Sequence, residues 1–389
     1  MNYILYDGSE RNTLLPLTYT RPVADIRIGI STIKEKWEKF LNANISFKTQ
    51  EYLCNKYPTV VSDDNILING SVIPSAELVV LIENLLPGQI LVKEDIEIAL
   101  RSDSANIETI ETSNFQTITT NVNFLRIENT WDIFALNPHI ILDDFSHITK
   151  NRKSSKISDT NFIIGDPEKI FFEEGAKAEF AYLNTTDGPI YIGKDAEIME
   201  GSKIRGPFAL CEHSTVKMDA KIYSGTTIGP YSKVGGEINN SVILGYTNKG
   251  HDGFLGNSVI GEWCNLGADT NTSNLKNTYD FVRLWSYDKN TFVSTGLQFC
   301  GLIMGDHSKS GINTMFNTGT VVGVSSNIYG SGFQRNFIPS FMWGGAQGLK
   351  PFNFKKSVGV AQAVFKRRNK EFNRIEEEIF EHLYNITHN

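Results

Sequence analysis

From Ile192 onward an aliphatic side chain returns every sixth residue, eight times in succession: Ile192, Ile198, Ile204, Leu210, Val216, Ile222, Ile228 and Val234. A period of six fits neither the 3.6 of an α-helix nor the 2 of an exposed strand. It is the period of a chain wound into stacked triangular coils of short parallel strands, a parallel β-helix. Each aliphatic points inward and stacks on its equivalent in the next coil. Two further hits follow at Ile260 and Leu266, and a third series runs Met304, Ser310, Phe316, Val322, Ile328 with one polar miss. Four residues after most of these positions stands a small side chain, such as Ala196, Ser202, Ser214, Ala220 or Thr226, where a larger one would collide with the corner. Phe208 is the exception. Of the 32 glycines, all but four fall in this half, where turns need backbone angles other residues resist.

The six-residue phase is lost between Val234 and Ile260 and again between Leu266 and Met304. Both breaks are expected to be excursions from the solenoid, where sites are commonly built. Asn274–Trp285 reads as an inserted loop. The first 150 residues differ: Tyr3–Tyr6, Val60–Val61 and Ile66–Ile68 read as strands, and Asn69–Gly70 as a turn. Ile28–Leu41 reads as an amphipathic helix. A helix starts at Trp131–Asn137, with Pro138 expected to bar its continuation. The organisation is an α/β domain over 1–150, a β-helix over 161–345 and a helical tail over 346–389. Thr149–Thr160 is the linker, and Phe354–Tyr384 forms one amphipathic helix with an apolar stripe at Phe365, Phe372, Ile375, Ile379 and Leu383. Its basic run, Lys366–Lys370, reads as a solvated face or a phosphate contact.

Among 389 residues, 40% are hydrophobic and 21% charged, enough for a packed core. A net charge of -7 argues against a nucleic-acid or anionic-membrane binder. The longest apolar stretches, such as Leu78–Ile82, are too short to span a bilayer. Met1–Glu10 lacks the features of a secretory signal, and the four cysteines form no CxxC pair. A reduced, cytoplasmic protein is expected.

His251 stands at the end of the first break, in Gly250-His251-Asp252-Gly253. A neutral imidazole accepts a proton near neutral pH. Acyl transfer to an amine needs such a base, together with donors for the oxyanion that forms. The run His251, Phe254, Leu255, Gly256, Ile260, Gly261, Asn265, Leu266, Gly267, Ala268, then Asn274, resembles the acetyltransferase segment of the bifunctional N-acetylglucosamine-1-phosphate uridyltransferase / glucosamine-1-phosphate acetyltransferase family. The family pattern is His-x-x-Tyr-Leu-Gly-x-x-x-Ile-Gly-x-x-x-Asn-Ile-Gly-Ala-Gly-Thr. Gly311-Ile312-Asn313-Thr314 similarly resembles its Gly-Ser-Asp-Thr acetyl-CoA turn. The chain looks most like the variant branch of this family in Bacteroidetes-type bacteria.

The resemblance implies a left-handed β-helix, an acetyl-CoA donor seated between neighbouring prisms of a homotrimer, and His251 as general base on the amine of glucosamine 1-phosphate or a related sugar. It implies that Asn265, Asn274 and Phe254 bind the sugar, and that Ala268, Gly311, Ile312 and Thr314 lie along the acetyl-CoA. The family tyrosine is Phe254 here, and the Asn-Tyr pair is Asn274-Leu275. The phosphate-gripping Phe-Ala-Arg-Leu-Arg reads Phe208-Ala209-Leu210-Cys211-Glu212, without either arginine. Arg205, Lys233, Lys249 and Lys276 are the candidate replacements.

Leu14-Leu15-Pro16-Leu17-Thr18-Tyr19-Thr20-Arg21-Pro22-Val23 resembles the start of sugar nucleotidyltransferases. This implies nucleotide contacts from Arg11 and Arg21, UTP as a second substrate and UDP-N-acetylglucosamine as the coupled product. It also implies Mg2+, for which Asp7, Asp25 and Asp132 are available. The family's glycine-rich loop is not recognisable, so a degenerate first domain stays open. Two readings compete with acetyl transfer. One is a non-catalytic β-helix scaffold. The other is a zinc lyase like the β-helical carbonic anhydrases, which would need His213, His251 and His307 to converge.

Overall fold

The computed structural model describes every residue except 104–106, 108–111 and 389. The described residues form two compact units, Met1–Leu14, Thr20–Ile26 and Ser31–Asn129 in one, and Leu15–Tyr19, Arg27–Ile30 and Thr130–Asn389 in the other. The helix Asp132–Thr149 therefore belongs with the coils, although it falls within residues 1–150.

The first unit is α/β. Its six-stranded sheet has the order Ile45–Lys48, Asn2–Tyr6, Asn65–Asn69, Ile96–Ser102, Gln89–Lys93, Gln116–Thr119. The first three strands are parallel and Ile96–Ser102 is antiparallel to both neighbours. The expected helix over Ile28–Leu41 begins only at Ile33, because Thr32 and Glu35 form a capping box there. Val60–Val61 is not a strand, and both valines are exposed.

The second unit contains the left-handed parallel β-helix. Its first face stacks nine strands from Ile170–Phe172 to Phe337–Ile338, and its second face stacks nine from Lys177–Ala178 to Met342–Gly345, with Gly348–Pro351 added antiparallel. The third face runs from Phe162–Ile164 to Phe254–Gly256, and Asn271–Thr272 pairs with Met315–Phe316 further along. All eight members of the first six-residue series are at most 2% exposed. Phe208, too large for the small-residue pattern, lies fully buried in the same core. The polar miss at Ser310 is answered by Thr270, whose hydroxyl lies 2.9 Å away.

Two further expectations change, and one holds. The first phase break is no excursion, since the coils run straight through it with shorter sides. Leu210 to Ile228 is 18 residues, Ile228 to Ile243 is 15 and Ile243 to Ile260 is 17, all in parallel register. The second break is a true insertion, bearing the antiparallel hairpin Arg283–Ser286/Thr291–Ser294. Pro138 does not end its helix, which continues to Thr149. The carbonyl it leaves unpaired, that of Phe134, faces the Asn240 side-chain amide, whose nitrogen donates to it at 2.9 Å when that amide is turned to satisfy its neighbours.

The tail is two helices, Phe354–Lys366 and Arg374–His388, rather than one. Asn369, at φ 55°, lies in the break between them. Of the predicted stripe, Phe365, Phe372, Ile379 and Leu383 are buried and Ile375 is half-buried. No helix among the described residues is long and apolar enough to cross a membrane.

Candidate functional site

The edge between the second and third faces carries the candidate chemistry. One coil below His251, only Gly235–Gly236 join Lys233–Val234 to Glu237–Asn239. At the next coil four residues, 250–253, join Asn248–Lys249 to Phe254–Gly256, so the corner bulges. Gly253 makes the bulge possible: its φ is +114°, and a Cβ there would meet the Thr270 carbonyl at 2.3 Å. His251 and Asp252 stand exposed on it.

Lys249 does not face outward, as the proposed phosphate contact would require. It occupies an inward position over Val234, where the neighbouring coils place aliphatics, and is 2% exposed. Its ammonium donates to the carbonyls of Gly235 at 2.9 Å and His251 at 3.0 Å, tying the bulge to the coil beneath. Burial pushes this amine down to about 8. The six-residue count missed the position because the coil had already shortened.

Phe254 and Asn274 lie side by side on the third face next to this corner. A Cβ on Gly256 would sit 2.6 Å from both the Phe254 ring and the Asn274 amide nitrogen. Asn274 donates to Asn257 Oδ1 at 2.8 Å, and Asn271 Oδ1 accepts the Phe254 N–H at 2.9 Å. Asn257 and Asn271 stand outside the family pattern, and no spacing marked them.

The corners above are stacked on the same edge. Asp269 N donates to Asp252 O at 3.0 Å, and Asn313 N donates to Ala268 O at 2.8 Å. His251, Ala268 and Gly311–Ile312 thus follow one another along one edge, at about 4.8 Å per coil. Ile312 is 71% exposed. Thr314 is different: it is fully buried, and its hydroxyl closes the turn on the Gly311 carbonyl at 2.8 Å.

The remaining candidates are dispersed. Asn265 and Lys233 are exposed on the second face, in one outward row with Asn248. Arg205, on the third face three coils below Gly256, is ion-paired with Asp187. Lys276 donates to the Phe281 carbonyl at 3.0 Å.

The histidines do not converge. His213 and His307 lie on the opposite edge of the second face, in a ladder of rings with Tyr231, Tyr246 and Trp263. Among the described residues no group of three or more His, Cys, Asp or Glu side chains could hold a metal ion.

In the first unit, a cavity of about 260 Å³ opens at the C-terminal ends of the strands, lined by Tyr6, Asp7, Lys48, Thr49 and Glu97 among others. Open α/β sheets bind ligands at such ends, where strand order reverses. The expected nucleotide contacts are elsewhere engaged. Arg11 is buried, with Asp7 Oδ2 at 3.0 Å and the Tyr52 hydroxyl at 2.8 Å. Arg21 is 3% exposed, with Asp25 at 4.0 Å. Asp7 also accepts from Val23 N and the Thr49 hydroxyl, and burial raises its carboxyl despite Arg11. With three donors already on it and its carboxyl pushed toward the neutral form, Asp7 is a poor fit for a magnesium ligand.

Residues 3–153 match the sugar nucleotidyl transferase family. Over 248 residues the chain is 29% identical to the "Bifunctional protein GlmU" of Methanococcus vannielii, covering 64% of this chain and 51% of that one. It is also 31% identical over 144 residues to the "Bifunctional sugar-1-phosphate nucleotidylyltransferase/acetyltransferase" of Sulfurisphaera tokodaii, 36% of this chain and 35% of that one. The chain is similar to bifunctional sugar-phosphate nucleotidyltransferase–acetyltransferases. It spans about half the length, or less, of these curated relatives. Among solved structures, the UDP-N-acetylglucosamine acyltransferase of Arabidopsis matches at 14% identity and a TM-score of 0.27, covering 55% of this chain and 77% of that one.

Proposed function

We propose that the chain is an enzyme whose β-helix transfers an acetyl group from acetyl-CoA to the amine of glucosamine 1-phosphate or a related amino-sugar phosphate. The observation that carries this reading is the stacking of the corners of His251, Ala268 and Gly311–Ile312 along one edge, with Phe254 and Asn274 beside Gly256 on the adjoining third face. The sugar lies against Phe254 and Asn274, and the thioester runs up the edge past Ala268 and Ile312. His251 takes a proton from the amine as its nitrogen attacks the thioester carbonyl. The C–N bond forms, the C–S bond breaks, and the thiolate leaves with a proton. Coil-corner N–H groups are the available oxyanion donors. The edge is completed by a neighbouring prism in a homotrimer.

The first unit, on this reading, acts in nucleotidyl transfer from UTP toward UDP-N-acetylglucosamine, in the cavity at its strand ends. The match of residues 3–153 supports the class. No step is routed through magnesium. The changed motif residues, Phe254, Leu275 and Ile312, favour a variant branch of the family, and the protein works in the cytoplasm.

The test is thiol release from acetyl-CoA in the presence of glucosamine 1-phosphate. Turnover that depends on His251 supports the proposal, and undiminished turnover in His251→Ala overturns the assigned base. Pyrophosphate release from UTP with N-acetylglucosamine 1-phosphate tests the first unit separately.

A further inference from the structure

The missing family arginines leave open how this β-helix meets a phosphate. The cations gather where the tail crosses the second face. Lys233 is exposed there, one coil above Thr215 and one below Asn248. Lys217 stands at the corner two coils beneath His251, with its N–H on the Val234 carbonyl at 2.7 Å and its Cβ against Gly235. Arg367 and Arg368 come from the break after helix Phe354–Lys366. Phe365, stacked on Trp263 at 3.9 Å, anchors that helix. Arg368 donates to Asn248 Oδ1 at 3.0 Å, and Lys370 stands over the Tyr246 ring at 5.3 Å. Both contacts fix the break against the coils.

Among the described residues none of Lys217, Lys233, Arg367 and Arg368 has a carboxylate within ion-pair distance. In a chain of net charge -7 that is an unusual concentration of unpaired positive charge. The nearby acids are Glu197, which acts on Lys233, and Glu212 and Glu262, which act on Tyr246.

We propose that Lys217, Lys233, Arg367 and Arg368 form a phosphate-binding site on the second face, walled by the break between the two tail helices. Folding has brought these like charges close enough to oppose one another. Partial desolvation of its amine, then Arg368, Lys217 and Arg367, hold the otherwise exposed Lys233 below its ordinary value. Burial and Arg367 do the same to Arg368. Such mutual repulsion is relieved by an anion between the groups. Two guanidinium forks and two ammonium groups suit the oxygens of a phosphate ester. The corner at Lys217 is about 10 Å down the edge from His251, two coil rises. That is within the span of one extended ligand. Which ester binds rests on the acetyl-transfer reading, and it is either the phosphate of the amino sugar or the phosphates of coenzyme A. The anion site itself does not rest on that reading.

The experiment is calorimetric titration of the full chain with inorganic pyrophosphate, glucosamine 1-phosphate and coenzyme A, at low and high salt. The wild type is compared with Arg367→Ala/Arg368→Ala and with Lys233→Gln, an exposed single substitution. Circular dichroism checks the fold of each. The expected result is binding that weakens with salt and falls about tenfold or more in the double variant, the scale of losing charge-assisted hydrogen bonds. Arg367→Lys/Arg368→Lys recovers part of it. Loss confined to coenzyme A or to the sugar phosphate identifies the source. Pyrophosphate binding that is lost in the variants, with neither organic ligand binding, upholds the anion site while the acetyl-transfer reading fails. Equal affinities in wild type and variants, or no binding of any of the three, overturns the proposal.

Discussion

The two edges that border the second face are made from the same repeat, both carry histidine, and they have opposite chemistry. On the edge between the first and second faces, His213, Tyr231, Tyr246, Trp263 and His307 all take positive φ, from 51° to 63°. Successive rings from His213 to Trp263 stack at 4.7, 5.0 and 4.2 Å. The tail covers the upper end: Phe365 stacks on Trp263 and His307, with Phe372 and Phe380 edge-on to His307, which is 5% exposed. The other edge uses glycines where the first uses rings. His251 and Asp252 stand exposed on it. An imidazole in a coil corner is packed away or left open to solvent according to what lies over it.

Substitutions can break this contrast. The largest effect belongs to the open edge: His251→Ala should lower acetyl transfer by about 10²–10⁴-fold, the range for general-base loss, with melting unchanged. The same assay on His307→Ala should show its loss as instability instead. Next is Phe365→Ala, which empties the space between ladder and tail and should cost about 3–5 kcal/mol in denaturant unfolding. A cost below about 1 kcal/mol would mean that the tail does not close that edge.

Lys249→Met sharpens the comparison through pH. The amine titrates near 8 in the folded chain and at 10.5 in the unfolded one. Between these values the unfolded chain binds more protons, so wild-type stability rises with pH across that window. The gain relative to Lys249→Met should total about 3 kcal/mol. Parallel unfolding curves from pH 8 to pH 10.5 would show that the ammonium is not buried as described. Smallest is His213→Ala, at the exposed end of the ladder, with an expected loss of about 0.5–1 kcal/mol of stacking. A loss as large as that of Phe365→Ala would show that the ladder is one cooperative stack.

Much of the solenoid was legible because its core is local. An aliphatic every sixth residue must face inward if the chain coils at all, and each of the eight does. His251, Ala268 and Ile312 were likewise readable as a set, since family spacing maps one residue onto one corner. The first phase break misled because a coil may shorten a side without leaving its stack. Pro138 misled for a related reason: Asn240, a hundred residues away, supplies the hydrogen bond that a local reading counts as lost.

The charged residues divide along the same line. The sequence showed that Lys249, Arg11, Arg21 and Arg368 exist, and the family resemblance or the basic run of the tail offered each a possible ligand. Only packing decided that Lys249 turns into the prism, that Arg11 and Arg21 are engaged by Asp7, Tyr52 and Asp25, and that Arg368 swings onto Asn248 beside Lys233. Hydrophobic periodicity is a property of neighbouring residues, so it is written along the chain. Where a charge goes depends on which oxygens and which other charges the fold brings within a few ångströms, and those come from distant parts of the sequence.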